Sequence, residues 1–296
     1  MRLPSTKQLQ YFVALVDHEH FGRAAEASFV SQSAFSNAIK ELETTLNAHL
    51  VDRTNRQVTI TALGQQVATQ ARLVLRDIGD LVEIASGGAQ PLTGDLRLGV
   101  IPTIAPFLLP RVLPELRACY PDMRLYLTED QTHRIYERLM HGDLDVLLLA
   151  LPWEMRGVDT MPLYHDPFRL ACRRGTERVD AENYRFNRLD ADSILLLEDG
   201  HCMRDHALAA CKIRDMQKVQ RFAASSLLTL IEMVDADLGI TFLPAMAEGS
   251  ELLRNTHIEL HPLAESSYRE IGLAWRKGSG RVEEFAMFGE FIAANR

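Results

Sequence analysis

The chain has 296 residues, 47% of them hydrophobic and 24% charged, with 32 Lys+Arg against 40 Asp+Glu and a formal net charge of −8. This balance fits two soluble domains with cores of their own and excludes collagen-like and disordered classes; it also excludes a uniformly basic nucleic-acid coat, though not a local basic patch. Four cysteines are too few for a disulfide framework and fit a reducing cytoplasm. Met1 to Glu19 lack a basic-then-apolar signal pattern. Apolar runs such as Val146–Leu151 fall far short of the about 18 residues that read as a membrane span, so no membrane partner is expected.

Leu9, Phe12, Val13 and Val16 recur at helical spacing and predict an amphipathic first helix. Phe21–Ala27 reads as a short second helix, in which Ala24-Ala25 allow close packing. Ser31 is a candidate N-cap for a third helix. On that helix Phe35, Ala38, Ile39, Leu42 and Leu46 share one face. Gln32, Ser33, Ser36, Asn37 and Lys40 share the other, with short polar groups able to reach base edges and one cation for a phosphate. Polarity alone fits a solvated face, but a helix, a short helix, a turn and a polar-faced helix in that order form a helix-turn-helix. Val51–Thr61 then reads as a two-stranded wing, with Arg53 and Arg56 around Thr54-Asn55. Through Gly88 there are 8 Lys+Arg and 9 Asp+Glu. Arg23, Lys40, Arg53 and Arg56 must therefore gather on one face, and useful affinity for double-stranded DNA implies a dimer on two half-sites.

These words resemble the winged helix-turn-helix of the LysR-type transcriptional regulators. The resemblance runs through Phe21-Gly22-Arg23-Ala24-Ala25-Glu26, Val30-Ser31-Gln32-Ser33 and Ile39-Lys40-Glu41-Leu42-Glu43, then Leu50, Arg53 and Ile60-Thr61-Ala62-Leu63-Gly64. Ser33-Ala34-Phe35 departs from the family's usual wording and bears on base preference. The domains expected are a DNA-binding domain over 1–61, a dimerisation helix over 62–88 and a regulatory domain over 94–296.

Val67, Ala71, Val74, Ile78, Leu81 and Ala85 step by four and three, a coiled-coil seam. A helix between two domains has little of its own to pack on, so the seam predicts pairing with a second copy. The resemblance implies the same helix-to-helix dimer, and a homotetramer that also uses the regulatory domain. A break follows at Ser86-Gly87-Gly88-Ala89-Gln90-Pro91.

From Gly94 strands and helices alternate, which predicts an α/β region with mostly parallel pairing. Strands are expected at Leu96–Ile101, Arg124–Thr128, Val146–Leu151, Phe168–Cys172, Ile194–Leu197, Ile240–Leu243 and Ile271–Trp275. Helices are expected at Pro106–Tyr120, Gln131–His141, Ser226–Leu238 and Val282–Ile292. Two halves with the chain crossing between them place a cleft at strand C-termini, where Thr103, Gln131-Thr132 and Glu198–Asp205 gather. The resemblance implies a periplasmic-binding-protein-like regulatory domain of two subdomains, about 94–166 with 268–296 and about 167–267. The expected whole is thus an N-terminal all-α winged helix-turn-helix, a long linker helix and this C-terminal α/β domain.

Cys202 stands at a strand-to-helix junction beside His201 and Arg204, where a helix N-terminus and cations favour a thiolate. A thiolate attacks peroxide to give a sulfenic acid, which a second thiol resolves. Cys211 lies nine residues on. Over a helix that is a rise of about 13–14 Å, against the roughly 4.4–6.8 Å between Cα atoms that a disulfide allows. Joining the two requires the segment to remodel, which would make a switch. The alternatives are plain core packing and, less favoured, a metal site of His201, Cys202, His206 and Cys211, whose spacing is not a familiar zinc pattern. Cys119 and Cys172, in apolar surroundings, read as core.

Leu197-Glu198-Asp199-Gly200-His201-Cys202, with Arg204-Asp205, Ala207 and Cys211, resembles the redox segment of the hydrogen-peroxide-sensing members of the same family. Ile101-Pro102-Thr103, Leu108-Leu109-Pro110, Gln131-Thr132-His133, Gly239-Ile240-Thr241 and Ile271-Gly272-Leu273 extend the likeness over nearly the whole chain. It implies a peroxidatic Cys202 and a resolving Cys211. It implies that Thr103, Thr132 and His201 hold peroxide or a bridging water, that Arg269 stabilises the thiolate and that Asp205 assists protonation or release. His206 and Ala210 depart from the pattern and bear on resolution rate or potential. The stretch Arg173–Asn187 is shortened. The partners implied are DNA, hydrogen peroxide, RNA polymerase and a dithiol reductant such as glutaredoxin, with no cofactor and no metal. The expected function is a peroxide-activated transcription activator. The alternatives are a regulator sensing a small metabolite in the cleft, and a thiol peroxidase; an enzyme leaves the helix-turn-helix and coiled coil unexplained.

Overall fold

The structure is a computed structural model and describes residues 3–53, 58–85, 92–181, 183–211, 213, 215–263 and 267–296. The chain divides into two compact units, one of Met1–Ala89 with Met140–Asp143, the other of Gln90–Leu139 with Leu144–Arg296.

The first unit begins with α1 (Thr6–His18), started by a capping box in which Ser5 and Gln8 satisfy each other's main-chain N–H groups. Helix α2 (Phe21–Ala27) is capped by the His20 ring, and α3 (Gln32–Leu46) by the Ser31 hydroxyl, which accepts from Ala34 N. Strands β1 (Val51–Arg53) and β2 (Val58–Ile60) pair antiparallel as the wing. Phe12, Leu15, Phe35, Ile39 and Leu42 form the core, with Tyr11 stacked on Phe35 at 5.1 Å between ring centres. Arg56, with Thr54-Asn55, and the break at 86–91 lie outside the described residues.

Helix α4 (Ala62–Ala85) has the length expected, but its first half has a partner already. Ala68 and Ala71 are buried in the core of the first unit, with Val67, Val74 and Leu75 packed against it, and Arg72 pairs with Asp17 of α1. The expectation that this helix has little of its own to pack on is corrected for that half. Ile78, Leu81 and Val82 are the exposed apolar positions that follow.

After the first unit's long helix, β3 (Gly94–Val100), α5 (Ala105–Cys119), β4 (Met123–Glu129), α6 (Thr132–His141) and β5 (Val146–Leu151) form two crossovers. They leave β4, β3 and β5 parallel side by side. Strand β6 (Val158–Arg173) follows, then α7 (Cys202–Ala210), α8 (Leu227–Asp235), β7 (Thr241–Pro244), α9 (Glu251–Arg254), β8 (Ile258–Pro262), β9 (Tyr268–Arg276) and α10 (Val282–Ala294). The sheet order is β4-β3-β5-β9-β6-β7, with β8 also on β6.

Mostly parallel pairing is therefore corrected. Strand β9 returns between β5 and β6, antiparallel to both, and β7 and β8 are antiparallel to β6. Helical crossovers, which parallel neighbours require, serve only the first three strands. Phe168–Cys172 is the end of the much longer β6, and β8 was not foreseen. Ile194–Leu197 makes only isolated parallel bridges, to Val219, Ile240 and Ala224; its partners change along its length, so no ladder develops. Cys172 is buried as expected, whereas Cys119, the last residue of α5, is exposed.

Candidate functional site

The C-terminal ends of the three parallel strands open onto one buried polar cluster. Thr103 follows β3, Thr132 begins α6 after β4, and Ala150 sits near the end of β5. Cys202, the first residue of α7, is 2% exposed, beside His201 at 6%, Thr103 and Thr132 at 1% each and Arg269 at 1%. Gly200 fixes the turn into α7. Its φ is +100°, so a larger residue would be strained, and its Cβ would lie 2.8 Å from Gln131 Oε1 and shift that side chain.

Arg269 holds the cluster together. The β6–β9 register sets it directly opposite Asp166, and its Nε donates to Asp166 Oδ2 at 3.0 Å. Nη1 donates to Thr103 Oγ1 at 3.0 Å and Nη2 to the Thr103 carbonyl at 2.9 Å. Asp166 Oδ1 accepts from Met246 N at 3.1 Å. A buried ion pair endures only when its remaining groups are hydrogen-bonded, as they are here.

Burial pushes the Cys202 thiol above its ordinary value, against the Thr132 hydroxyl, the Arg269 charge and the Ala150 main chain, which favour the thiolate; Asp205 adds to the rise. Burial dominates, so the resting sulfur is a thiol. Thr132 Oγ1 has no partner at ordinary hydrogen-bonding geometry around that thiol, and neither does His201 Nε2. Both keep capacity for a small polar guest. Cys211 caps the end of α7 and is pushed up to about 12 by burial, with the Ser267 hydroxyl opposing. Ser267 Oγ donates to the Ala210 carbonyl at 2.8 Å, closing the helix end.

Arg204 was expected beside the sulfur. Its Nη1 instead donates to the Leu197 carbonyl at 3.1 Å and its Nε lies 3.0 Å from Asp199; the cation acting on Cys202 is Arg269. Asp205 is exposed. Among the described residues no three His, Cys, Asp or Glu side chains converge as a metal site, and no helix is long and apolar enough to cross a membrane. Asp166, Met246 and Ser267 escaped the sequence reading. Asp166 stands in a strand that also carries Asp159, His165 and Arg169, so no local signal singled it out.

In the first unit Gln32, Ser33, Asn37 and Lys40 line the exposed side of α3, with Ser36 half-buried. Arg23 is exposed, its Nη2 donating to the His18 carbonyl at 2.9 Å. Arg53 ends β1. Glu26 and Glu41 are exposed on the same two helices, so the positive charge is sparse.

A capped helix-turn-helix with a wing and long helix, followed by an α/β unit with a sealed polar site, defines a DNA-binding regulator. The chain belongs to the LysR family of transcriptional regulators. Residues 6–65 match "Bacterial regulatory helix-turn-helix protein, lysR family" and residues 89–296 match "LysR substrate binding domain". The chain is 41% identical over 284 residues to "HTH-type transcriptional regulator EstR" of Acinetobacter baylyi, covering 96% of this chain and 94% of that one. It is 38% identical over 288 residues to "DNA-binding transcriptional dual regulator OxyR" of Escherichia coli, covering 97% and 94%. A full-length OxyR variant from Pseudomonas aeruginosa superposes with a TM-score of 0.83 at 32% identity, covering 99% and 95%.

Proposed function

We propose that this regulator is switched by hydrogen peroxide through Cys202, with Cys211 as the resolving thiol. The observation that carries the reading is the sealed cluster at the start of α7. A thiol lies there within the influence of Arg269 and the Thr132 hydroxyl, and His201 Nε2 is buried without a hydrogen-bond partner. Peroxide is small, and it both donates and accepts hydrogen bonds. The thiol is oxidised to a sulfenic acid as peroxide is reduced to water. The Cys211 thiol then displaces a second water to give the disulfide, and a cellular dithiol such as glutaredoxin restores both thiols.

The two cysteines lie at opposite ends of a nine-residue helix, about 13–14 Å apart. A disulfide allows about 4.4–6.8 Å between Cα atoms, so α7 must unwind and the Ser267–Ala210 bond must break. This backbone change is the proposed signal to the DNA-binding unit, in a cytoplasmic dimer or tetramer that meets RNA polymerase at its operator. The α3 face, with Arg23, Arg53 and Arg56, is the proposed DNA surface. The domain limits 1–61, 62–88 and 94–296 are part of the same reading. A relative named "Hydrogen peroxide-inducible genes activator" from Escherichia coli O6:H1, 38% identical over 288 residues, supports it.

The test treats reduced protein with a few equivalents of peroxide, blocks free thiols and maps peptides without reduction. Cys119 is an internal control, being exposed: attack by access alone reaches it before the buried Cys202. Rapid Cys202–Cys211 linkage with Cys119 still free is expected. Cys202 remaining a thiol while Cys119 oxidises would sink the reading. The name EstR mentions no peroxide, and the chain would then be read as a regulator of a small metabolite.

A further inference from the structure

Helix α7 carries a further buried ring nitrogen one turn beyond Cys202. His206 lies one turn after Cys202 on α7, and helical side chains lean toward the N-terminus, so its ring covers the turn that Cys202 begins. The exit of β5 locates both residues. Cys202 meets the Ala150 main chain, and His206 Nε2 lies 3.1 Å from the Pro152 carbonyl oxygen. Ala150 lies near the end of β5 and Pro152 directly follows the strand. A carbonyl oxygen only accepts, so Nε2 carries the hydrogen and the neutral ring presents a bare Nδ1. That Nδ1 is buried and without a hydrogen-bond partner.

We propose that His206 Nδ1 takes the proton of the Cys202 thiol as the sulfur attacks peroxide, an inference that rests on the peroxide reading. The S–H bond yields its proton to Nδ1, and the sulfur electron pair attacks one peroxide oxygen. The O–O bond breaks, and the departing hydroxide recovers the proton from Nδ1 as water. Sulfur is oxidised to the sulfenic acid, peroxide is the oxidant, and the imidazole returns neutral. A buried thiol held above its ordinary value needs such an acceptor.

The surroundings suit the task. Burial lowers the pKa of His206, so the ring is neutral and able to accept near neutral pH. The charged groups acting on it are Asp205 on its own helix and Arg269 on β9. Arg269 favours the thiolate and disfavours imidazolium, so it pushes the proton off the sulfur and then off the ring. Asp205 does the reverse to both, and it is exposed, which disqualifies it as the sealed acceptor.

The test follows sulfenic acid formation at Cys202 in full-length Cys211→Ser protein, with and without His206→Gln, from about pH 5 to 9. Glutamine keeps a donor for the Pro152 carbonyl and cannot take up a proton. The parent rate should rise through a group titrating below the ordinary histidine value of about 6.5 and then level. His206→Gln should be on the order of 10²-fold slower near pH 7, with that rise gone. A His206→Gln rate within about twofold of the parent throughout would overturn the proposal, because general-base catalysis is worth more. So would a parent profile without the acid-side rise, a result that does not depend on the variant folding. Cys202 inert in the parent refutes the peroxide reading itself; a reactive parent matched by His206→Gln refutes only this inference.

Discussion

Arg269→Met removes the cation that joins Asp166, Thr103 and Cys202. Its side chain is 0% exposed and that of Asp166 2%, so the variant strands a buried carboxylate whose remaining protein donor is Met246 N. Breaking a buried pair from one side costs about 3–5 kcal/mol. For a unit of roughly 200 residues, each kcal/mol lowers Tm by about 2–4 °C, so a fall on the order of 6–20 °C is expected. Both tryptophans, Trp153 and Trp275, lie in the second unit, and their fluorescence reports its melting. Adding Asp166→Asn should restore most of the loss, because the stranded charge goes with it. A single variant that melts within about 2 °C of the parent, or a double variant no better than the single, would refute the account of a pair held by mutual need. The same single variant should slow Cys202 oxidation, because the one cation favouring the thiolate is gone.

Lys40→Ala should weaken operator binding and reduce the salt slope by about one, as a phosphate contact predicts; an unchanged slope measured by fluorescence anisotropy removes Lys40 from the phosphates. Gly64→Ala would place a Cβ 2.3 Å from the Leu50 carbonyl oxygen and 2.8 Å from Ile60 Cγ2. Overpacking there should cost about 1–3 kcal/mol, whereas Gly79→Ala on the same helix meets nothing within 4 Å and should stabilise by about 0.5–1 kcal/mol; circular dichroism melts that reverse this order would count against the packing described. Burial raises Cys172 to about 11 and Cys211 to about 12 from 9.0. The folded state therefore keeps protons that the unfolded state releases, and the stability present below pH 9 is lost as pH rises through 11–12. The urea midpoint should fall between about pH 8 and 10.5 and fall less in Cys211→Ser; a flat midpoint would contradict this.

Local signals made the first unit legible. Ser31 caps α3 as its side chain suggests, and the apolar spacing of Phe35, Ile39 and Leu42 marks the buried face. In the second unit Val146–Leu151 announces itself as a fully buried strand by being apolar throughout. Cys202 at the start of a helix was equally readable, because helix starts have local chemistry, although the strand expected before it does not form a ladder. Pairing across long separations was not. Asp166 and Arg269 are 103 positions apart and meet only through the β6–β9 register, so the nearby Arg204 looked the better cation. Cys119 has apolar neighbours in sequence, yet it ends α5 on the exposed side, and neighbours in sequence do not fix the face of a helix terminus. Isolated periodicity also missed the intramolecular packing of the first half of α4, because an apolar stripe serves the core of its own unit as well as a second copy.

Strand β6 runs from Val158 to Arg173, with a register shift against β9 between Pro162 and Tyr164. It is bonded along Val158–Pro167 to β9 and along Phe168–Arg173 to β7 and β8. It works as a splint. Two lobes sharing one strand resist swinging apart like jaws, since that would shear the main-chain bonds to β9 in one half or those to β7 and β8 in the other. Movement is cheapest where no ladder crosses, and the one-helix span from Cys202 to Cys211 is such a place. The proposed Cys202–Cys211 linkage would on this footing rewind a short cord and leave the β6 ladders in place.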